Sequence, residues 1–188
     1  MDTSDFKKGL KFMYDGQPYV CVDFQFVKPG KGQAFTRTKM RHLLNGSVVE
    51  RNIRSNEKIS MADAEERSLQ YIYPEGDSFV FMHSQSGDQI SVPKEAVGED
   101  ADFLIDGLEC MVTIYEGNPI GVNLPPHVTL RVTGTEPGAK GDTSGNVTKP
   151  ATVSTGATVN VPLFINEGDW VKIDTRTRDY LERAKAPA

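Results

Sequence analysis

The sequence predicts an all-β protein made of three small sheets or barrels. Short apolar runs with strand-like alternation recur along the 188 residues, and turn signals separate them at intervals of about 8–12 residues. Asp15-Gly16 and Asn45-Gly46 lie between such runs, and these dipeptides are the strongest short-range signals for β-hairpins. No segment has the length and periodicity of an ordinary helix. Hydrophobic residues make up 38% of the chain, which favours several small cores over one large core.

The first block, residues 1–63, is expected to form a small, strongly bent antiparallel sheet or barrel of about five strands. Its apolar residues alternate with polar ones, as they do in strands that bury one face. The clearest runs are 10–14, 19–27, 34–41 and 47–53.

The second block, residues 64–128, continues this pattern. Residues 93–98 and 102–107 each have the features of a short helical segment that ends at a glycine. Pro125-Pro126 closes the block as a stiff junction. The candidate strands are 66–73, 79–83, 89–92, 109–115 and 119–124.

The third block, residues 129–188, also consists of short strands, with a long polar segment at 134–146. Its candidate strands are 129–133, 151–154, 157–161 and 170–175.

The most informative stretch is Lys28-Pro29-Gly30-Lys31-Gly32-Gln33-Ala34, between the second and third strands of the first block. A proline followed by two glycines between strand-like runs predicts a hairpin loop. Glycine permits positive φ and a close approach of the backbone to a partner. The pattern therefore predicts one flexible lysine, Lys31, at an exposed tip. The alternative is an ordinary solvated turn.

The charge around this loop favours a functional interpretation. No Asp or Glu occurs from Phe24 to Val49, whereas Lys28, Lys31, Arg37, Lys39 and Arg41 all lie there. A basic block in a chain of net charge −5 indicates a polyanion as partner. A solvated basic hairpin without a partner is the alternative.

Charge also divides the chain into the same three blocks. Residues 1–63 carry net charge +4, residues 64–128 carry −10 and residues 129–188 carry +1. Such a distribution would orient the molecule on a polyanion, with the acidic middle held away from phosphates or facing basic protein. Three separately soluble surfaces would give the same counts.

The sequence contains no pattern that predicts catalysis, a metal or a cofactor. His42, His83 and His127 fall one in each block without metal-ligand spacing, and two cysteines cannot build a usual zinc site. No pair of acids is set apart for acid–base chemistry. We therefore expect a protein that is not an enzyme, with ordinary sheet or surface histidines.

The glycine-rich segment 134–145 only superficially resembles a phosphate-binding P-loop. It lacks the Gly-Lys-Ser/Thr ending and the strand-then-helix context. Its backbone N–H groups and hydroxyls can still serve an RNA backbone, in which case Lys140, Gly141, Asp142, Thr143, Ser144 and Gly145 are the candidates. An ordinary surface loop is the alternative.

Cys21 and Cys110 lie in separate strand-like runs, and we expect them to be buried thiols rather than a disulfide. Residues 1–5 have no secretory character, and no long apolar segment occurs. These features predict a soluble cytoplasmic protein that does not enter a membrane.

Four runs carry a resemblance that spans nearly the whole chain. They are 26–35 around Lys31, 138–143, 149–157 leading into 161–164, and 171–176. All four resemble the bacterial translation elongation factor P family, in the family's order. The acidic middle block is similar in length but has no sharp motif.

This resemblance implies a KOW-like (SH3-like) barrel at 1–63 and two OB-folds at 64–128 and 129–188, in an L-shaped, tRNA-like arrangement. It also implies a non-enzymatic factor that binds both ribosomal subunits and ribosomal RNA between the peptidyl-tRNA and exit sites. There it would relieve stalling on consecutive prolines, and we expect it to act as a monomer.

By the same resemblance, Lys31 reaches toward the peptidyl transferase centre beside peptidyl-tRNA, supported by Lys28, Pro29, Gly30, Gly32 and Gln33. Some branches lengthen this lysine covalently, through a dedicated enzyme. A lysine at this position argues against the branch that adds rhamnose to arginine, but it establishes no modification.

Further RNA contacts are expected from Arg37, Lys39 and Arg41 and, by resemblance, from the 141–145 loop together with Tyr180 and Arg183. For the last two, the alternative is a terminal strand that packs its tyrosine and solvates its arginine. The alternative function for the whole chain is a general single-stranded RNA- or DNA-binding OB-fold protein, which would need aromatic stacking surfaces and a basic groove.

Overall fold

The computed structural model describes residues 1–136 and 147–187, and within them strands dominate. They form three five-stranded sheets, which confirms the predicted fold class. Helix is limited to one short α-helix, α1 (Lys94–Val97), and two 3₁₀ segments, Thr3–Asp5 and Gly98–Phe103, in the described residues. The domain boundaries at 63/64 and 128/129 stay predictions.

The first sheet is antiparallel throughout and has the strand order β4-β3-β2-β1-β5. Asp15 and Gly16 both have positive φ between the first two strands, as the tight hairpin predicted from Asp-Gly requires. One face covers a core built on Phe12, Met40 and Ile53, each fully buried. The strands are β1 (Lys11–Tyr14), β2 (Gln17–Val27), β3 (Phe35–His42), β4 (Val48–Arg54) and β5 (Ser60–Met61).

The second sheet has the strand order β10-β9-β6-β7-β8. The pairs β6–β7 and β7–β8 are antiparallel, with a bulge between Tyr71 and Tyr73. The strands are β6 (Ala64–Glu75), β7 (Ser78–Met82), β8 (Gln89–Pro93), β9 (Glu109–Tyr115) and β10 (Asn118–Asn123).

The segment after β8 differs in part from the prediction. A helical turn followed by Gly98 occurs as expected, but the helix predicted at 102–107 is wrong. The 3₁₀ segment ends at Phe103, and Leu104 is already extended. Phe103 is fully buried in an apolar cluster of the third sheet, so tertiary packing fixes where this segment ends.

The third sheet is antiparallel and has the strand order β13-β12-β11-β14-β15. Its core cluster includes Leu130, Ile165 and Ile173 together with Phe103, and Leu124 packs against it. The strands are β11 (His127–Thr135), β12 (Thr148–Val153), β13 (Thr158–Pro162), β14 (Trp170–Asp174) and β15 (Tyr180–Ala184).

The chain separates into two compact units. One contains Met1–Glu66 with Thr113–Ile120, and the other contains Arg67–Val112 with Gly121–Ala188. Within the first unit, the Glu116 N–H in the β9–β10 turn donates to the carbonyl of Asp63, between β5 and β6, at 2.9 Å. The Tyr115 hydroxyl of β9 lies 3.8 Å from Met13 Sδ on β1 of the first sheet. Within the second unit, Phe103 joins the core of the third sheet.

Candidate functional site

Strands β2, β3 and β4 continue beyond the part of the first sheet that pairs with β1, and the lysine loop joins β2 to β3. β1 pairs with residues 17–20 of β2, whereas β2 and β3 stay paired as far as Val27 and Phe35. β4 follows β3 to the pair Phe35–Arg54. We call this extension, residues 23–27, 35–39 and 50–54, the tip ribbon.

The loop that closes the tip ribbon, residues 28–34, contains Lys31 at its centre, and Lys31 is exposed. Gly32 has φ +120°, a conformation that favours glycine. A Cβ there would lie 3.7 Å from Cγ of Pro29, an ordinary contact, so backbone conformation alone demands this glycine. Gly30 has no positive φ, and a Cβ there would meet nothing within 4 Å. The fold of the free protein therefore needs glycine at 32 and not at 30.

The remaining loop residues also face outward. Lys28 and Gln33 are exposed and Pro29 is half-buried. Among the described residues, neither Lys28 nor Lys31 has a carboxylate within ion-pair distance. Both cations are thus available to an external anion.

One face of the tip ribbon, which we call the outer face, carries the predicted cations Arg37 and Lys39. Glu50 lies opposite Lys39 on β4, and Asp23 lies opposite it on β2. Arg37 Nε is 3.7 Å from Glu50 Oε1. The stretch from Phe24 to Val49 contains no acid, but Asp23 and Glu50 at its two ends therefore lie beside its cations in space.

Asp23 also has an ionic partner, Lys8. A hydrogen bond from Lys8, 3.0 Å from Nζ to Oδ1, is the largest cause that lowers the pKa of this carboxyl. Arg41, the third predicted cation of this strand, is exposed and pairs across the sheet with Val20 and Val48, outside the tip ribbon.

The opposite face, which we call the aromatic face, carries Phe24 and Phe26. They lie opposite Thr38 and Thr36, whose side chains are buried, and Arg51 lies beyond Thr38 on β4. Phe24 is 39% exposed and Phe26 is 57% exposed. Sequence analysis did not identify these rings as site residues, although their alternation with Asp23 and Gln25 contains the signal.

A bulge in β2 selects which residues share the aromatic face. Cys21 pairs with Met40 and Asp23 pairs with Lys39, so Val22 is the extra residue. If β2 alternated regularly from Cys21 onward, Asp23 and Gln25 would face inward as Cys21 does. The bulge thus turns the two phenylalanines to the face of the buried core and the acid to the outer face.

Tyr180 and Arg183 lie on β15 in the second unit. Tyr180 is half-buried and packs against the core of the third sheet, and burial is the main cause that raises its pKa. Arg183 Nη2 lies 2.6 Å from Asp169 Oδ1. The tyrosine therefore has a packing role and the arginine has an ionic partner, and their contact with RNA stays a prediction.

The predicted loop residues Lys140, Gly141, Asp142, Thr143, Ser144 and Gly145 lie outside the described residues.

The surroundings of both cysteines, His42 and His83 indicate structural roles. Both cysteines are free and buried, as predicted, and burial raises the pKa of Cys110 to about 12. His42 is buried, with Nε2 3.1 Å from Gln17 Oε1 and Nδ1 accepting from the Leu44 N–H. His83 is bonded to Ser86 in the turn between β7 and β8.

Residues 1–136 and 147–187 contain no cluster of His, Cys, Asp and Glu that could hold a metal ion. No helix in that part of the chain is long and apolar enough to cross a membrane.

Three family models match the chain in series. Residues 2–59 match the elongation factor P KOW-like domain, residues 64–122 match the elongation factor P OB domain, and residues 128–183 match the elongation factor P C-terminal domain.

Curated bacterial relatives align over nearly the full length. An elongation factor P from Nitratidesulfovibrio vulgaris (strain Miyazaki F) is 50% identical over 96% of this chain and 98% of its own. One from Acidothermus cellulolyticus is 48% identical over 98% of both chains. One from Persephonella marina is 50% identical over 94% of this chain and 93% of its own.

Solved structures show the same fold. A eukaryotic translation initiation factor 5A from Methanococcus jannaschii has a TM-score of 0.50 at 23% identity, over 66% of this chain and 90% of its own. A protein of the same factor family from Naegleria fowleri has a TM-score of 0.50 at 16% identity, over 66% of this chain and 96% of its own.

A KOW-like domain with an exposed lysine hairpin, followed by an OB domain and a third β-domain, defines a translation elongation factor. The chain belongs to the elongation factor P family. The ribosome is accordingly its partner.

Proposed function

We propose that this factor binds the ribosome between the peptidyl-tRNA and exit sites, beside peptidyl-tRNA, and stimulates peptide-bond formation where consecutive prolines stall the ribosome. Membership of the elongation factor P family supports this proposal. The observation that carries it is Lys31, an exposed cation without a carboxylate partner in the described residues, at the end of the tip ribbon.

Positioning is the mechanism that these residues support. Proline is a poor reactant because its ring restrains geometry at the reacting centre. A factor that only orients peptidyl-tRNA lowers the entropic part of the barrier and needs no acid or base. A lysine offers a compact charge on a flexible stem of four carbons, which suits a narrow passage lined with RNA.

The first and third domains contact different parts of the ribosomal complex. The tip loop, Lys28 to Gln33, approaches the reacting end of peptidyl-tRNA. The third domain, with Tyr180, Arg183 and residues 141–145, contacts the tRNA body and the small subunit. A dedicated enzyme lengthens Lys31 where the modification occurs, and the factor acts as a monomer.

The test is the rate of Pro-Pro-Pro peptide synthesis on purified ribosomes, with wild type, Lys31→Ala and the control Lys94→Ala. Lys94 is an exposed lysine on α1, away from the tip loop in sequence. Wild type and Lys94→Ala should accelerate synthesis, and Lys31→Ala should lose most of the acceleration. Equal acceleration by all three proteins would remove Lys31 from the mechanism.

The protein should be tested both as purified from its native host and as unmodified recombinant material. Failure of native protein to accelerate synthesis would overturn the proposal. A general single-stranded nucleic-acid binder would instead bind free oligonucleotides tightly, with a steep dependence on salt.

A further inference from the structure

Phe24 and Phe26 are exposed although they lie on the face of the first sheet that forms the core. The aromatic cluster of that core joins Phe6, Phe12 and Tyr19, and its ring contacts include neither of the two. Their strand runs past Lys11, where β1 begins, so no strand in the described part of the chain pairs with this part of its edge. Folding of the barrel therefore does not explain two large apolar side chains at these positions.

The charge on this face is uniform. The neighbours of the two rings on β3 and β4 are Thr36, Thr38, Ile53 and Arg51, and the exposed Lys28 follows directly after β2 in the tip loop. The two carboxylates of the tip ribbon, Asp23 and Glu50, lie on the outer face. The aromatic face thus combines two exposed rings with cations and carries no acid within the described tip ribbon.

Lys28 and Arg51 have no carboxylate partner in the described residues, although the Arg51 guanidinium donates to the Glu50 carbonyl at 2.9 Å. Exposed rings next to such cations are the elements of a binding surface for single-stranded nucleic acid, because bases stack on rings and phosphates pair with cations. An acid-free cationic rim favours a polyanion over a protein surface. Phe24 and Phe26 are two residues apart on one strand, a repeat of about 6.8 Å. That repeat is about twice the stacking distance of bases, so one base fits between the rings or two bases stack on them in turn.

We propose that Phe24 and Phe26 form a stacking surface for unpaired RNA bases, with Arg51 and Lys28 contacting the adjacent phosphates. The aromatic face, rather than the outer face with Arg37 and Lys39, is then the side of the tip ribbon that meets RNA. This inference rests on the proposed function, since the RNA concerned is that of the ribosome or its bound tRNA.

The first experiment measures the affinity of the full-length protein for ribosomes that carry peptidyl-tRNA. The double variant Phe24→Leu/Phe26→Leu keeps apolar bulk but removes the rings, and Phe24→Tyr/Phe26→Tyr keeps the rings. Tyr73→Leu, which removes an exposed ring from the second sheet, is the matched control. Urea midpoints measured in parallel identify any variant that has lost stability.

The leucine variant should bind about tenfold or more weakly, since stacking contributes this much per base. The tyrosine variant and the Tyr73→Leu control should stay within about threefold of wild type. Equal affinity of the leucine variant and wild type would overturn the inference. So would a leucine variant that binds normally but is modified less at Lys31 in cells, because the rings would then serve the modifying enzyme.

A second experiment separates this inference from the proposed function. Phe26→Trp is titrated at low salt with a short unstructured oligoribonucleotide, and tryptophan fluorescence is compared with that of Tyr73→Trp. Quenching in the first variant alone supports stacking even if native protein fails to accelerate proline synthesis. No quenching in either variant, together with unchanged ribosome affinity of the leucine variant, rejects it.

Discussion

Phe103→Ala should destabilise the third sheet although residue 103 follows a strand of the second. Phe103 is fully buried among the side chains of Leu130, Ile165 and Ile173. Truncation of a fully buried Phe removes its transfer free energy and leaves a cavity, at a cost of about 3–5 kcal/mol. With an m-value of about 1.5 kcal/mol per M, the urea midpoint should fall by about 2–3 M.

Trp170 makes this measurement specific. It is the single tryptophan of the chain and lies in β14 of the third sheet, so its fluorescence follows that sheet. Phe81→Ala is the matched control, because Phe81 is equally buried but belongs to β7 of the second sheet. The comparison requires both variants to be folded without denaturant.

Two patterns are informative. If Phe103→Ala lowers the Trp170 midpoint more than Phe81→Ala does, the ring is part of the third-sheet core. Equal shifts mean that the second unit unfolds cooperatively, which its compactness favours. A loss of less than about 1 kcal/mol in Phe103→Ala would refute the reasoning, since such a value is typical of exposed rather than buried sites.

Three further outcomes are expected. Arg178 has φ +65°, and its guanidinium lies 4.7 Å from the centre of the Phe103 ring. Arg178→Gly and Arg178→Ala both lose this contact, but only glycine adopts the positive φ without strain. The glycine variant should therefore be more stable than the alanine variant by about 1 kcal/mol in urea unfolding. The pKa of Asp169 is lowered first by the Asn166 N–H and then by Arg183. The stability that this carboxylate contributes is therefore present above its unfolded-state pKa and is lost as pH falls through the folded-state value. Asp169→Asn should reduce this loss of stability at acid pH, measured from unfolding curves followed by Trp170 fluorescence. Cys110 should react with a thiol reagent at pH 8 about a thousandfold more slowly in native protein than in urea, because burial raises its pKa to about 12. A fast reaction in native protein would contradict its buried position.

Local signals in the sequence were sufficient for the fold class and for the position of the tip loop. Asp15-Gly16 turns at positive φ as its dipeptide predicts, and Lys31 lies in a loop between paired strands. Both features depend on neighbours in sequence, for which turn chemistry and alternation are reliable guides.

Features that depend on pairing between distant strands were not predictable in this way. The absence of acids from Phe24 to Val49 suggested a basic surface, yet the register places Asp23 and Glu50 beside Lys39. The predicted helix around Phe103 failed because the ring packs into a core supplied by strands more than twenty residues later. Local propensity contains no information about either partner.

The bulge at Val22 has a consequence for how this surface can change in evolution. Because Val22 is the extra residue of β2, the loss of one residue there would remove the bulge and restore regular alternation. Asp23 would still pair with Lys39, and Phe24 would still pair with Thr38. A single codon deletion at the bulge would thus leave the chemistry of both faces unchanged, whereas a one-residue slip further along β2 exchanges the faces of every side chain beyond it.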